Sequence, residues 1–200
     1  MNIPILLTVF RLAAIPILWF FYFLPISWGH AIAAMIFIAA ALTDWLDGHL
    51  ARLRQETSEF GAFLDPVVDK LLVSMVLVIL LSRHNILGLT IPAAIIIGRE
   101  ITVSALREWM AAIGKQAHMK VRNLAKVKTF FQMAGLGFLL WYHPNLSFFQ
   151  VWYPTWLTPT VLILGLSLLY IAAFLTLWTM CSYLKIAWPS MRPHEGTSRN

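Results

Sequence analysis

The chain has 200 residues, of which 60% are hydrophobic and 12% charged, with 15 Lys and Arg against 9 Asp and Glu. Soluble domains are roughly 45–50% apolar and about 25% charged, so a water-soluble globule is excluded: too few charges exist to cover this much apolar surface. Ten Gly, ten Pro and a single cysteine, Cys181, also exclude disorder, collagen and a disulfide scaffold. What remains is an all-α polytopic membrane bundle.

A helix needs roughly 20 apolar residues to cross a hydrocarbon core of about 30 Å. Met1 to Phe10 is expected to lie along the interface as a short amphipathic lead-in. The late Arg11 and the long apolar run beyond it argue against a cleaved signal. Leu12 to Thr43 holds no Asp, Glu, Lys or Arg, which suffices for two crossings, with a turn at Pro25, Ser27, Gly29 and His30. A third run spans about Ala62 to Ser82 and ends at Arg83-His84-Asn85. The fourth, Leu87 to Met110, carries Arg99, Glu100 and Arg107. Thr129 to Leu184 is again uncharged and is divided by Trp141 to Trp156 into a fifth and a sixth. The Trp and Tyr residues of that divider suit a headgroup-level belt. Residues 1–188 therefore read as one domain of six transmembrane helices, and 189–200 as a flexible tail. Cys181 reads as small buried packing, and Gly135, Gly137 and Gly165 as points of close helix approach.

With six crossings, one side receives both termini and the segments around 48–60 and 111–128, with nearly all the basic residues. The other side has only Arg83. By the positive-inside rule both termini are cytoplasmic. The net charge of +6 then reflects topology and attraction to anionic headgroups of the bilayer, not nucleic-acid binding.

All four aspartates, Asp44, Asp47, Asp65 and Asp69, fall where the second and third runs meet their shared cytoplasmic loop. Asp44 and Asp47 are spaced i,i+3, and Asp65 and Asp69 i,i+4, so each pair shares a helix face. The two helices are expected to be antiparallel neighbours with both faces in one cleft. Carboxylates packed this tightly in a poor dielectric require neutralisation. Three readings stay open on spacing alone: a metal site, a proton or cation pathway, or structural pairing. In the last, Asp65 before Pro66 marks a helix start and Arg52, Arg54 or Lys70 supplies salt bridges.

The residues between the acids narrow this. Asp44-x2-Asp47-Gly48-x2-Ala51-Arg52, then eight residues, then Gly61-x3-Asp65-x3-Asp69 resembles, at every fixed position, the signature of the CDP-alcohol phosphatidyltransferases. A cation relay gives no reason for Gly48, Ala51, Arg52 and Gly61. Small residues thin the facing helices so that a flat ligand can approach the backbone, and Arg52 can fork onto a phosphate oxygen. Likeness extends to Asn2-Ile3-Pro4, Leu7-Thr8 and Arg11, to Arg99-Glu100-Ile101, to Ser104 through Trp109, and to Gly114-Lys115 and Lys126-Val127-Lys128-Thr129. Ile5 and Ala125 depart from it, standing where Asn and Gly are usual. These stretches are similar to the branch of the family whose acceptor is glycerol 3-phosphate.

The resemblance implies transfer of a phosphatidyl group from CDP-diacylglycerol to glycerol 3-phosphate, with CMP leaving, at the cytoplasmic face of a bacterial inner membrane. It implies two ions, Mg²⁺ or Mn²⁺, held by Asp44, Asp47, Asp65 and Asp69, with Asp69 also the general base. Asp44, Asp47, Gly48, Ala51, Arg52 and Gly61 would seat the cytidine nucleotide, and a homodimer is implied. Hard oxygen donors without a Cys or His cluster favour those metals; His49 is expected to face outward.

The acceptor's own phosphate demands cations. Arg99 and Arg107, eight residues apart on roughly one face, with Lys128, are the expected pocket; Lys115, Lys126, Thr8 and Arg11 are weaker members. Adjacent helix residues point about 100° apart, so Arg99 and Glu100 are expected to pair poorly.

Overall fold

The computed structural model describes residues 3–26, 28–54, 59–83, 86, 88–114, 123–142 and 157–191, with side chains for 8–26, 28–43, 64–82, 86, 88–114, 127–142, 157 and 159–188. These residues form six helices and no strand: α1 (Ile3–Phe23), α2 (Gly29–Arg54), α3 (Glu59–Arg83), α4 (Thr90–Ala112), α5 (Asn123–Trp141) and α6 (Leu157–Met191). The expected lead-in is no separate element, because the helix is continuous from Ile3 into the apolar run.

Each helix offers an apolar stripe at helical spacing. In α1 it is Ala14, Leu18 and Tyr22; in α3, Leu72, Val76 and Leu80; in α5, Leu136, Leu139 and Leu140. Together with Ala33, Phe37, Ala93, Ile96, Leu169 and Ala173 they make one continuous core shared by all six helices. A second cluster, Val103, Leu106 and Met110 of α4 with Tyr183 and Ala187 of α6, packs the far ends of those two helices.

The most extensive contact is α5 on α6, followed by α1 on α2. Glycine explains the first. A Cβ on Gly135 would lie 3.0 Å from the Gly165 carbonyl oxygen, and one on Gly165 would meet Leu139 at 2.8 Å, so the two backbones approach as only glycine allows. Gly137, by contrast, faces open space apart from Ile38 at 4.0 Å.

The meeting of α2 with α3 at their shared loop falls on residues 44–63, whose side chains lie outside the described residues; elsewhere both helices lie against α1 and α5. Two expectations are corrected. Asp65 does not begin a helix, since α3 starts at Glu59 and Pro66 lies inside it; a proline there forfeits one backbone hydrogen bond without ending the helix. Cys181 is exposed, because the buried stripe of α6 runs through Ala172, Thr176, Thr179, Tyr183 and Ala187 and leaves position 181 on the outward side.

The outward surface is apolar. Trp19, Phe20, Phe130, Phe174, Trp178 and Trp188 are each more than half exposed. Among the described residues only Pro159–Trp188 of α6 is long and apolar enough to cross a membrane; Thr8–Phe23 and Gly29–Thr43 are shorter apolar stretches.

Candidate active site

The first polar constellation joins α1 to α3. Arg11 continues the buried stripe of α1 toward the N-terminus and is only 1% exposed, while Asp65 and Asp69 extend the core-facing stripe of α3 and remain 42% and 40% exposed. Arg11 Nη1 donates to Asp69 Oδ1 at 2.6 Å and Nη2 to Asp65 Oδ1 at 3.3 Å. Thr8, one turn before Arg11, donates its hydroxyl to the same Asp65 oxygen. The carboxylates therefore converge on one cation. A hard divalent ion takes donors of this kind, so the pair fits such an ion by chemistry.

The second constellation joins α4, α5 and α6. Arg99 Nη1 donates to Glu100 Oε1 at 3.0 Å, and Lys128 Nζ lies 3.5 Å from the same oxygen. Arg99 and Lys128 are both more than nine-tenths buried, and Arg99 Nε is buried with no hydrogen-bond partner. Arg107, exposed on the next turns of α4, donates from Nη2 to the Tyr183 hydroxyl at 2.9 Å. Its guanidinium carbon stands 5.2 Å from the centre of the Tyr183 ring.

The expected poor pairing of Arg99 with Glu100 is thus overturned. A 100° offset separates the Cα–Cβ directions, but arginine's long stem and wide fork span it, and Lys128 from α5 makes the same carboxylate a shared partner. Of the cations expected to pair with the acids, Arg52 and Arg54 have side chains outside the described residues; the cation found on Asp65 and Asp69 is Arg11, expected only as a weaker member of the acceptor pocket. Its signal was available, because it is the sole formal charge in the first 43 residues, and a cation in so apolar a segment needs a partner. Tyr183 carried no such signal.

Helices α2, α3 and α5 run through Asp44, Asp47, Gly48, Ala51, Arg52, Gly61 and Lys126. The side chains at these positions, like His49 and the whole of Lys115, lie outside the described residues. Among the described residues no group of three His, Cys, Asp or Glu gathers into a metal site.

The N-terminal turns of α1 and α3 meet, and the second half of α4 meets the first turns of α5 and the last third of α6. Constellations of opposite charge on an apolar helical bundle are the parts from which a phosphate-handling site is made.

The chain matches the CDP-alcohol phosphatidyltransferase family over residues 1–180 and belongs to it. It is 47% identical over 193 residues to the CDP-diacylglycerol–glycerol-3-phosphate 3-phosphatidyltransferase of Pseudomonas fluorescens, spanning 96% of this chain and 93% of that one. It is 46% identical over 186 residues to the proteins of that name from Escherichia coli K12 and Shigella flexneri serotype 5b, spanning 93% of this chain and 94% of each.

Proposed function

We propose that this chain transfers the phosphatidyl group of CDP-diacylglycerol to the primary hydroxyl of glycerol 3-phosphate. The hydroxyl oxygen bonds to the lipid-bearing β-phosphorus, the bond from that phosphorus to the CMP oxygen breaks, and phosphatidylglycerophosphate and CMP form. The observation that carries this reading is the convergence of Asp65 and Asp69 on one cation within a chain similar to that transferase along nearly its whole length.

All six helices cross a bacterial inner membrane, with both termini and the polar end of the bundle on the cytoplasmic side. The outward aromatic surface and the basic residues gathered on one side of the crossings support this. Hydrophobic substrate tails then stay in the bilayer while the headgroup chemistry takes place at the inner mouth. Two copies form a homodimer in that membrane, which cross-linking in intact membranes would test.

Asp44, Asp47, Asp65 and Asp69 would hold two divalent ions, Mg²⁺ or Mn²⁺. Such ions, when bound, neutralise the diphosphate and stabilise the leaving oxygen. Asp69 accepts the proton of the attacking hydroxyl, a role worth typically 10²–10⁴ in rate. Arg11 and Thr8 hold Asp65 and Asp69 with their oxygens turned to one point. Gly48, Ala51 and Gly61 leave room for the cytidine nucleotide against the helix backbones, and Arg52 grips its phosphate. Arg99, Arg107 and Lys128 bind the acceptor's phosphate, with Lys115 and Lys126 adding positive charge around it.

Purified protein given CDP-diacylglycerol, a divalent ion and one alcohol at a time tests the assignment. CMP release should require glycerol 3-phosphate. Release with serine or inositol phosphate but not with glycerol 3-phosphate would refute it.

A further inference from the structure

The second constellation contains three cations, and they are not held alike. Arg99 and Lys128 share the carboxylate of Glu100. Arg107 has no carboxylate within ion-pair reach among the described residues; its partner is the phenol of Tyr183. That phenol is fixed. Tyr183 is 2% exposed and packed among Val103, Leu106 and Met110 of α4 and Ala187 of α6. Its hydroxyl accepts from one edge of the guanidinium at 2.9 Å, and its ring face lies toward the guanidinium carbon, 5.2 Å from the ring centre.

The chemistry of the two kinds of partner differs. A carboxylate orients a cation and also cancels it, so an incoming phosphate must compete with it. A neutral phenol orients without cancelling: the hydroxyl oxygen takes one N–H, the ring attracts the cation through its quadrupole, and the charge stays available. Free arginine carries about 2 kcal/mol of rotamer entropy. Holding it in advance lowers the ordering cost when a ligand binds. Arg99 adds an independent sign that an anion belongs here, since its Nε is buried without a partner.

We infer that Tyr183 is a positioning residue for the acceptor: it holds Arg107 aimed and charged for the phosphate of the incoming alcohol, and so contributes to the choice of a phosphorylated acceptor. This rests on the acceptor-phosphate reading of Arg99, Arg107 and Lys128.

Tyr183→Phe keeps the ring and its packing and removes only the hydroxyl. One hydrogen bond to a charged group is lost, so KM for glycerol 3-phosphate should rise about five- to tenfold. Turnover number and KM for CDP-diacylglycerol should stay within about twofold, and inhibition by inorganic phosphate should weaken by the same factor as the acceptor KM rises. In an Arg107→Ala background the same substitution should add nothing.

If Arg107→Ala raises the acceptor KM and Tyr183→Phe does not, the role given to Tyr183 is overturned while the pocket stands. Parallel loss in both substrates' KM and in turnover would make Tyr183 merely structural and also overturn it. If Arg107→Ala itself leaves the acceptor KM unchanged, the pocket reading fails first and this inference goes with it.

Discussion

The contact between α1 and α3 and the contact among α4, α5 and α6 each bury a cation, but with opposite surpluses of charge. In the first, one arginine faces two carboxylates. In the second, two buried cations share one carboxylate while a third rests on a phenol. An acid-rich site lowers its energy by taking up further cations, and a cation-rich site by taking up an anion. The same physical requirement, that buried charge be compensated, thus suits the first contact to the metal and nucleotide diphosphate proposed for it and the second to the proposed acceptor phosphate.

The most severe way to break this pairing is at the acid-rich contact. Asp69→Asn removes both the proposed proton acceptor and one partner of Arg11. Turnover should fall by about 10²–10⁴, while binding of CDP-diacylglycerol, followed by equilibrium dialysis of a labelled analogue, stays near that of the unaltered protein. Lost binding with residual turnover would instead make Asp69 chiefly a metal ligand.

Arg11→Ala tests the surplus directly. Breaking a buried ion pair costs about 3–5 kcal/mol. Here the carboxylates are some 40% exposed, so the loss should be nearer ~2 kcal/mol, or about 4–8 °C in the thermal midpoint in detergent. Divalent ions should restore part of that loss in the variant and add less to the unaltered protein. Equal stabilisation of both would mean that Arg11 and the ions do not answer the same need.

At the cation-rich contact the effects on activity are smaller, because the charges share the work. Arg107→Ala should raise KM for glycerol 3-phosphate about 10- to 100-fold, the range for one charge-assisted hydrogen bond. KM for CDP-diacylglycerol should change little. A matched rise in both would take Arg107 out of the acceptor pocket.

The acid-rich half of this design was more legible than the cation-rich half. Asp44, Asp47, Asp65 and Asp69 form a pattern of fixed spacing, and the charge-poor, apolar runs around them give six helices by length alone. What spacing cannot express is a partner from a distant helix. Arg11 meets Asp69 across 58 positions and Arg107 meets Tyr183 across 76, distances set by how helices pack and not by any local period. Glu100 misled for a different reason. Helical offset describes where Cβ points, whereas a long side chain reaches a neighbour that Cβ does not face. Spacing likewise gives no sign of α1, whose buried Thr8 and Arg11 seat it against the α3 acids.

Glu100→Gln offers the finest test, because it alters charge and almost nothing else. The amide oxygen can still accept from Arg99, but the counter-charge for Arg99 and Lys128 is gone. Glu100 is 23% exposed and its two cations are nearly buried, though its contact with Lys128 is long, 3.5 Å, so losing the counter-charge should cost about as much as the loss of Arg11, ~2 kcal/mol. The variant should lose a few degrees of thermal midpoint in phosphate-free buffer. Added inorganic phosphate should raise its midpoint by more than it raises that of the unaltered protein, since a ligand that binds the folded form more tightly stabilises it more. KM for glycerol 3-phosphate should fall about two- to fivefold, because the phosphate no longer competes with a resident carboxylate. A variant indifferent to phosphate would show that Glu100 only holds the helices together, and that the surplus of positive charge at this contact is not an anion site.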